Sequence, residues 1–257
     1  MAARTRQPGI EVLEHTSISG AWAGANDAWW GVARVHVKAQ DVDHPHLLAN
    51  ELICARLAAA MGLPVLPGEI ATHPDGRRCW VTPQIQVGNT SLPPADASQV
   101  LKGQPIVSAG MLAFDYWVRN EDRHSGNVLF DARLGIWLID HDSALAGKSG
   151  EGMDQLADAT TVAPGFHMFR DEVDTELETI DAAALDLWVK RIRALPVNVI
   201  ENAIAEAVDR GLIPKSCQKG LQSFLLARRS QLDTILAGTT AKAEQLELSA
   251  VGELENS

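Results

Sequence analysis

Residues 120–127 read Asn-Glu-Asp-Arg-His-Ser-Gly-Asn, the densest polar run in the chain, and they stand between an apolar stretch and a short strand pattern. Ile106 to Arg119 has the composition of an apolar helix. Asn127 to Phe130, a turn at Asp131 to Gly135, and Ile136 to Ile139 read as a hairpin. A hairpin returns its ends to one place, so Asp122, Asn127 and Asp140 are predicted to converge at one mouth. Two carboxylates and an amide there form an oxygen-only set suited to Mg²⁺. A carboxylate left free of the metal supplies a base for a hydroxyl. That is the equipment of phosphoryl transfer, where positioning and charge neutralisation do nearly all the catalysis.

Upstream the chain reads as strands with one helix. Ala28 to Ala39 alternates Val35 and Val37 against Arg34, His36 and Lys38, a period-2 strand. Leu47 to Met61 carries apolar residues at helical spacing and stops at Gly62 and Pro64. A strand at Glu69 to Thr72, a turn at His73 to Gly76 and a return strand at Arg78 to Val87 follow, with Pro83 weakening the last. Gly88 to Pro105 is rich in Pro, Ser, Gly and Asn and reads as a linker between halves. Beyond it, amphipathic helices are predicted over Leu185 to Leu195, Val197 to Arg210 and Gln218 to Leu236. The expected organisation is an N-lobe at 1–88, a C-lobe at 89–238 and a disordered tail at 239–257.

Composition allows this. Of 257 residues, 46% are apolar and 21% charged, enough for a core divided between two lobes around a cleft. Acidic residues outnumber basic ones 33 to 22, for a net charge of −11, which disfavours broad binding to nucleic acid or anionic membranes. A local basic cleft for one small polyphosphate stays compatible with it. Cys54, Cys79 and Cys217 form no C-x-x-C pair and read as small hydrophobes of a reducing, cytoplasmic protein. No secretory signal follows the basic N-terminus, and no membrane span is expected, because Leu47 to Leu66 is interrupted by Glu51, Arg56, Gly62 and Pro64. Trp29, Trp30, Trp80 and Trp137 read as core or cleft wall, and His15, His44, His46, His73 and His167 as surface groups.

Phosphoryl transfer also needs a cation on the donor's phosphates. Lys38 faces away from the two valines of its strand, and Glu51, in the first turn of the next helix, can hold its ammonium. Each element alone has a bland reading: a solvated lysine, a surface glutamate, an Asp122–Arg123 ion pair worth little. A strand lysine, a helix glutamate and an Asp-x-x-x-x-Asn…Asp set in this order are what kinase folds require.

Asp122-Arg123-His124-Ser125-Gly126-Asn127 with Ile139-Asp140-His141 resembles the HipA-like kinases, and more distantly the phosphoinositide kinases with their D-R-H-x-x-N motif. Asn50-Glu51-Leu52 through Gly62-Leu63-Pro64-Val65 resembles their helix-C segment, and the likeness spans Val35 to Leu236. The resemblance implies an α+β, bilobal, protein-kinase-like fold, with a small β-rich N-lobe carrying one main helix and a larger helical C-lobe. It implies ATP and Mg²⁺ as cofactors. Asp122 becomes the catalytic base, Asn127 and Asp140 the metal ligands, Lys38 the grip on the α- and β-phosphates, and Glu51 its orienter. Gln84 and Ile85 fall on the inter-lobe strand expected beside adenine, and His124 is expected to bond backbone near Asp140. The implied acceptor is a hydroxyl, most readily Ser or Thr of a protein, with an antitoxin-like regulator as a further partner. A small-molecule or lipid kinase and a non-catalytic ATP-binding module are the competing readings.

Three departures stand out. No G-x-G-x-x-G precedes Lys38; Ser17 to Gly24 reads either as a phosphate loop, with Ser17 and Ser19 open to autophosphorylation, or as an ordinary loop. His141 and Asp142 stand where conventional protein kinases have Phe and Gly. Asp142 reads as a further metal ligand or as the N-cap of a turn at Ser143-Ala144, the cap being favoured.

Overall fold

The helix Leu47–Ala60 (α1) is apolar on nearly every side, and a helix of that kind must be enclosed. Leu48, Leu52, Ile53 and Leu57 are wholly buried, and even Asn50 and Glu51 are within the interior. The computed structural model describes residues 10, 12–17, 29–87, 90–91, 95–131, 135–150, 152, 156–173 and 180–254, with side chains undescribed at 17, 86–87, 90–91 and 238–254.

Around α1 the small lobe is built of strands. β1 (Val12–Ser17) and β2 (Trp29–Ala33) form an antiparallel ladder of their own. β3 (Val35–Ala39), β4 (Glu69–Thr72) and β5 (Arg78–Pro83) form an antiparallel sheet in the order β3-β5-β4. The single strand expected over Ala28 to Ala39 is thus two, separated at Arg34. Trp29 and Trp30 are not core or cleft wall: on the separate β1–β2 ladder they are 53% and 70% exposed. Trp80, in the central strand of the larger sheet, is buried. Short strands β6 (Gln86–Val87) and β7 (Thr90–Ser91) follow.

The linker expected over Gly88 to Pro105 is partly a helix. α2 (Ala97–Gly103) starts where the Asp96 carboxylate accepts the Gln99 N–H at 2.8 Å, a side-chain N-cap that a reading of composition passes over. The boundary at Gly88, like most of the Ser17 to Gly24 segment, lies outside the described residues. α3 (Pro105–Val118) is largely apolar, with Asp115 its one charged residue, and ends on Arg119, whose φ of 55° is the left-handed C-cap conformation. The catalytic-loop candidate then runs through β8 (Asp122–Arg123) and a 3₁₀ turn at Ser125–Asn127 into the hairpin β9 (Val128–Asp131) and β10 (Gly135–Leu138).

β11 (Phe166–His167) pairs in parallel with β8 and leads into α4 (Met168–Asp171). The larger lobe is completed by α5 (Ala182–Ala194), α6 (Val197–Asp209) and α7 (Gln218–Leu254). The α7 backbone runs to Leu254, over residues rich in Ala, Glu, Lys, Gln and Leu, all good helix formers. α1 shares one hydrophobic core with α3, α5, α6 and α7. Across the lobe junction Arg56 bonds Glu206 at 2.9 Å, and Arg210 bonds Glu69 at 2.6 Å. Leu138 of β10 donates its N–H to the Pro64 carbonyl at 2.8 Å, closing the junction beside the cleft. The molecule is therefore two-lobed, a small β-rich lobe with one main helix and a larger helical lobe. Among the described residues, no helix is long and apolar enough to cross a membrane.

Candidate active site

Period-2 geometry decides which way Lys38 faces. In β3, His36 and Lys38 share the side occupied by Trp80 and Thr82 of β5, while Val35 and Val37 face outward and are 49% and 42% exposed. The inward side looks onto the start of α1. There Lys38 Nζ donates to Glu51 Oε1 at 2.8 Å, bonds the Asp140 carboxylate, and lies 3.4 Å from Asp142 Oδ2. Burial alone lowers a lysine's affinity for its proton. Here the carboxylates of Glu51, Asp140 and Asp142 outweigh it, so Lys38 stays charged well above the ordinary lysine range. For Glu51, burial pushes the carboxyl up, but His141 and Lys38 bring it below its ordinary value. Its second oxygen accepts the His141 backbone N–H at 3.1 Å, which ties α1 to the strand end carrying Asp140.

Asp140 itself has φ of 60°. A non-glycine residue in the left-handed region costs of order 1 kcal/mol or more, and Asp is among the few that tolerate it. This turn at the end of the hairpin aims the carboxylate at Lys38. Asp142 does not cap the Ser143–Ala144 turn, which corrects the favoured reading. The Ala144 N–H goes to the His141 carbonyl, and the Asp142 carboxylate takes the Ser143 hydroxyl at 2.9 Å and faces Lys38.

Between the lobes lies a cavity of about 300 Å³, at the small end of the range for ligand pockets. Lys38, Glu51, Gln84, Ile85, Asn127 and Asp140 all line it, so six of the seven sequence-predicted site residues share one space. Its far wall is apolar: Leu66 and Ile85 form a small cluster with Leu129 and Ile139 packed on it. Thr82, Gln84 and Ile85 stand on the segment expected to face adenine; the side chains of Gln86 and Val87 lie outside the described residues. Asp122 is the exception. Its side chain is exposed and outside the cavity lining, while its carbonyl accepts Asn127 Nδ2 at 2.8 Å.

Arg123 does what was expected of His124. His124 Nδ1 only accepts the Gly126 N–H at 3.0 Å, a local turn contact. Arg123, fully buried, donates through one terminal nitrogen to the carbonyls of Asn127 and Ile139, each at 2.6 Å. Its partner is not Asp122 but Asp115, at 2.8 Å from Nε. His167 is another correction: rather than a surface group it is fully buried, with Nε2 3.4 Å from Asp115. The only sequence signal for this network is a single carboxylate inside an apolar helix, which geometry alone can pair.

No ligand set of three or more His, Cys, Asp or Glu side chains encloses a cation among the described residues. Mg²⁺ is commonly held by one or two carboxylates with substrate phosphates completing its sphere, so the oxygens of Asn127 and Asp140 fit it as partial ligands. Three carboxylates around one ammonium also leave this end of the cavity net negative.

No protein-family model matches the chain, and no curated protein matches it in sequence. Among solved structures it is similar to the crystal structure of a Helicobacter pylori proinflammatory kinase, CtkA, with a TM-score of 0.55 and 14% identity. That match covers 89% of this chain and 96% of the other. It is also similar to a chain of the Shewanella oneidensis MR-1 toxin–antitoxin complex of HipA, HipB and operator DNA, with a TM-score of 0.44 and 13% identity over 88% of this chain and 68% of that one. The first likeness shows that the chain has a protein-kinase-like fold, and the resemblance read from residues 122–127 and 139–141 holds at that level.

Proposed function

We propose that the protein is an ATP- and Mg²⁺-dependent kinase that transfers the γ-phosphate to a hydroxyl, with Ser or Thr of a protein as the favoured acceptor. The observation that carries this reading is Lys38, bonded to Glu51 on α1 and to Asp140 across the lobe junction, inside the cavity that Asn127 also lines. Mg²⁺, when bound, would supply charge neutralisation on the phosphates being transferred. Lys38 offers its ammonium to the α- and β-phosphate oxygens, and Glu51 keeps it oriented towards them. Asn127 and Asp140, which line the cavity, would hold the metal. Leu66, Ile85, Leu129 and Ile139 present apolar surfaces on which a planar base can lie, with Gln84 at the polar edge.

Asp122 accepts the proton of the attacking hydroxyl. Its exposure suits that role, because an acceptor protein must reach it from outside the nucleotide cavity. The same exposure favours a macromolecular acceptor over one enclosed in the pocket. We place the protein in the cytoplasm, in keeping with its free cysteines, two of them buried.

Incubation with labelled ATP and Mg²⁺, comparing wild type with Asp122→Ala, tests the mechanism. Loss of transfer in the variant with retained binding of a non-hydrolysable ATP analogue is the expected result. Equal transfer by both proteins refutes the role of Asp122. Analogue binding by wild type with no turnover on any hydroxyl substrate makes the protein a nucleotide-binding module instead.

A further inference from the structure

Asp115 is a carboxylate with no exposed surface, the one charged residue of α3, and apart from His167 its side-chain partners, Arg123 and Asn120, belong to the catalytic loop or flank it. Arg123 Nε donates to its Oδ2 at 2.8 Å and the second terminal nitrogen to Oδ1 at 3.2 Å. Asn120 Nδ2 adds a bond at 3.0 Å. The other terminal nitrogen of Arg123 holds the carbonyls of Asn127 and Ile139. One of those residues is the proposed metal ligand and the other immediately precedes Asp140. A planar guanidinium has a fixed fork, so fixing one side on Asp115 fixes the direction of the other. A buried ion pair of this kind contributes little net stability, because desolvating two charges costs about what their attraction returns. Its geometric consequence is larger: it determines where both metal-binding segments sit.

The same pair also faces the segment that follows the metal strand. β11 lies beside β8 with His167 opposite Arg123, and Glu121 accepts the Gly165 N–H at 2.6 Å. Glu172 accepts the Ser125 N–H at 3.1 Å. Arg123 is fully buried and both sides of its fork are engaged by Asp115 and backbone carbonyls.

We infer that Asp115 is the positioning residue of the catalytic loop, the counter-ion that fixes Arg123 and through it the carbonyls of Asn127 and Ile139. The inference rests on the kinase reading, but its structural consequence can be measured without turnover. Asp115→Asn keeps the shape and removes the charge. Arg123→Lys keeps the charge and removes the fork, and it remains informative if the first variant does not fold.

In nucleotide-free protein, amide exchange at residues 124–128 and 140 is expected to accelerate about tenfold in either variant, with that of α6 unchanged. kcat is expected to fall by about 10²-fold, the scale of a small misplacement at a reacting centre, while KM for ATP stays within about threefold. The double variant should lose no more than the worse single one, because both act through one strap. Unchanged exchange at the loop or multiplying losses in the double variant each overturns the proposal. An inactive wild type with faster exchange in the variants instead overturns the kinase reading and leaves the positioning role standing.

Discussion

Replacing Lys38 by Met removes the cation that, among the described residues, bonds Glu51, Asp140 and Asp142 together. Glu51 has 3% of its side chain exposed, Asp142 14% and Asp140 26%, so the carboxylates left behind are mostly shielded from water. Breaking a buried pair from one side costs about 3–5 kcal/mol, and the partial exposure of Asp140 points to the lower end, about 3 kcal/mol. For a chain of this size each kcal/mol moves the melting temperature by about 2–4 °C, so Lys38→Met should melt ~6–12 °C below wild type in EDTA. Mg²⁺ should then return much of the loss. With Asp140 no longer held by the ammonium, a cation at about 100 times its Kd contributes about 2.7 kcal/mol. In wild type the lysine competes for the same carboxylate, and the Mg²⁺ effect should be smaller. Thermal melts of both proteins with EDTA and with Mg²⁺ decide the matter. A variant that melts within about 2 °C of wild type in EDTA, or an equal Mg²⁺ shift in both, refutes the idea that Lys38 neutralises this centre.

Arg228 is fully buried and donates to the carbonyls of Tyr116, Trp117, Ala159 and Val162, joining the end of α3 to the 3₁₀ turn at Asp158–Thr161; burial pushes its guanidinium down to about 10. Arg228→Met should cost about 3 kcal/mol, since carbonyls left without donors outweigh the relief of a buried charge, and a chemical-denaturation midpoint equal to wild type contradicts this. His167 is held below its ordinary value of 6.5 by burial, aided by Arg123 and Arg170 and opposed by Asp115. The unfolded chain therefore takes up a proton that the folded one refuses, and stability present above pH 6.5 is lost as the pH falls below it. His167→Phe should flatten the pH dependence of stability between pH 6.5 and 5 by up to about 1.4 kcal/mol per unit, and an unaltered slope contradicts the assignment.

Periodicity makes much of the framework legible in the sequence. α1, α3, α5 and α6 fall within a few residues of their expected ranges because each carries an apolar pattern at helical spacing and ends at Gly, Pro or a cap. The hairpin over 128–138 and the sheet strands at 69–72 and 78–83 follow from the same local rule. What the pattern misses has weak local signals. α2 hides in a Pro- and Ser-rich stretch, and β11 is a two-residue pairing that exists only because β8 is there to receive it. Trp29 and Trp30 depart from expectation because hydrophobicity indicates a preference for burial, whereas on the separate ladder of β1 and β2 both remain mostly exposed among the described residues.

The sequence by itself set which residues the proposed chemistry draws on: Lys38, Glu51, Asp122, Asn127 and Asp140 in order, on elements whose ends are set by short-range rules. Only the tertiary structure decided how those groups are held. Asp142 turns to Lys38 instead of capping a turn, Arg123 pairs with Asp115 instead of a neighbouring aspartate, and His167 lies in the interior instead of at the surface. The reason is physical. Backbone periodicity acts over a few residues, but a buried charge must find a counter-charge or donor wherever the fold brings one, and those partners lie up to 104 residues apart.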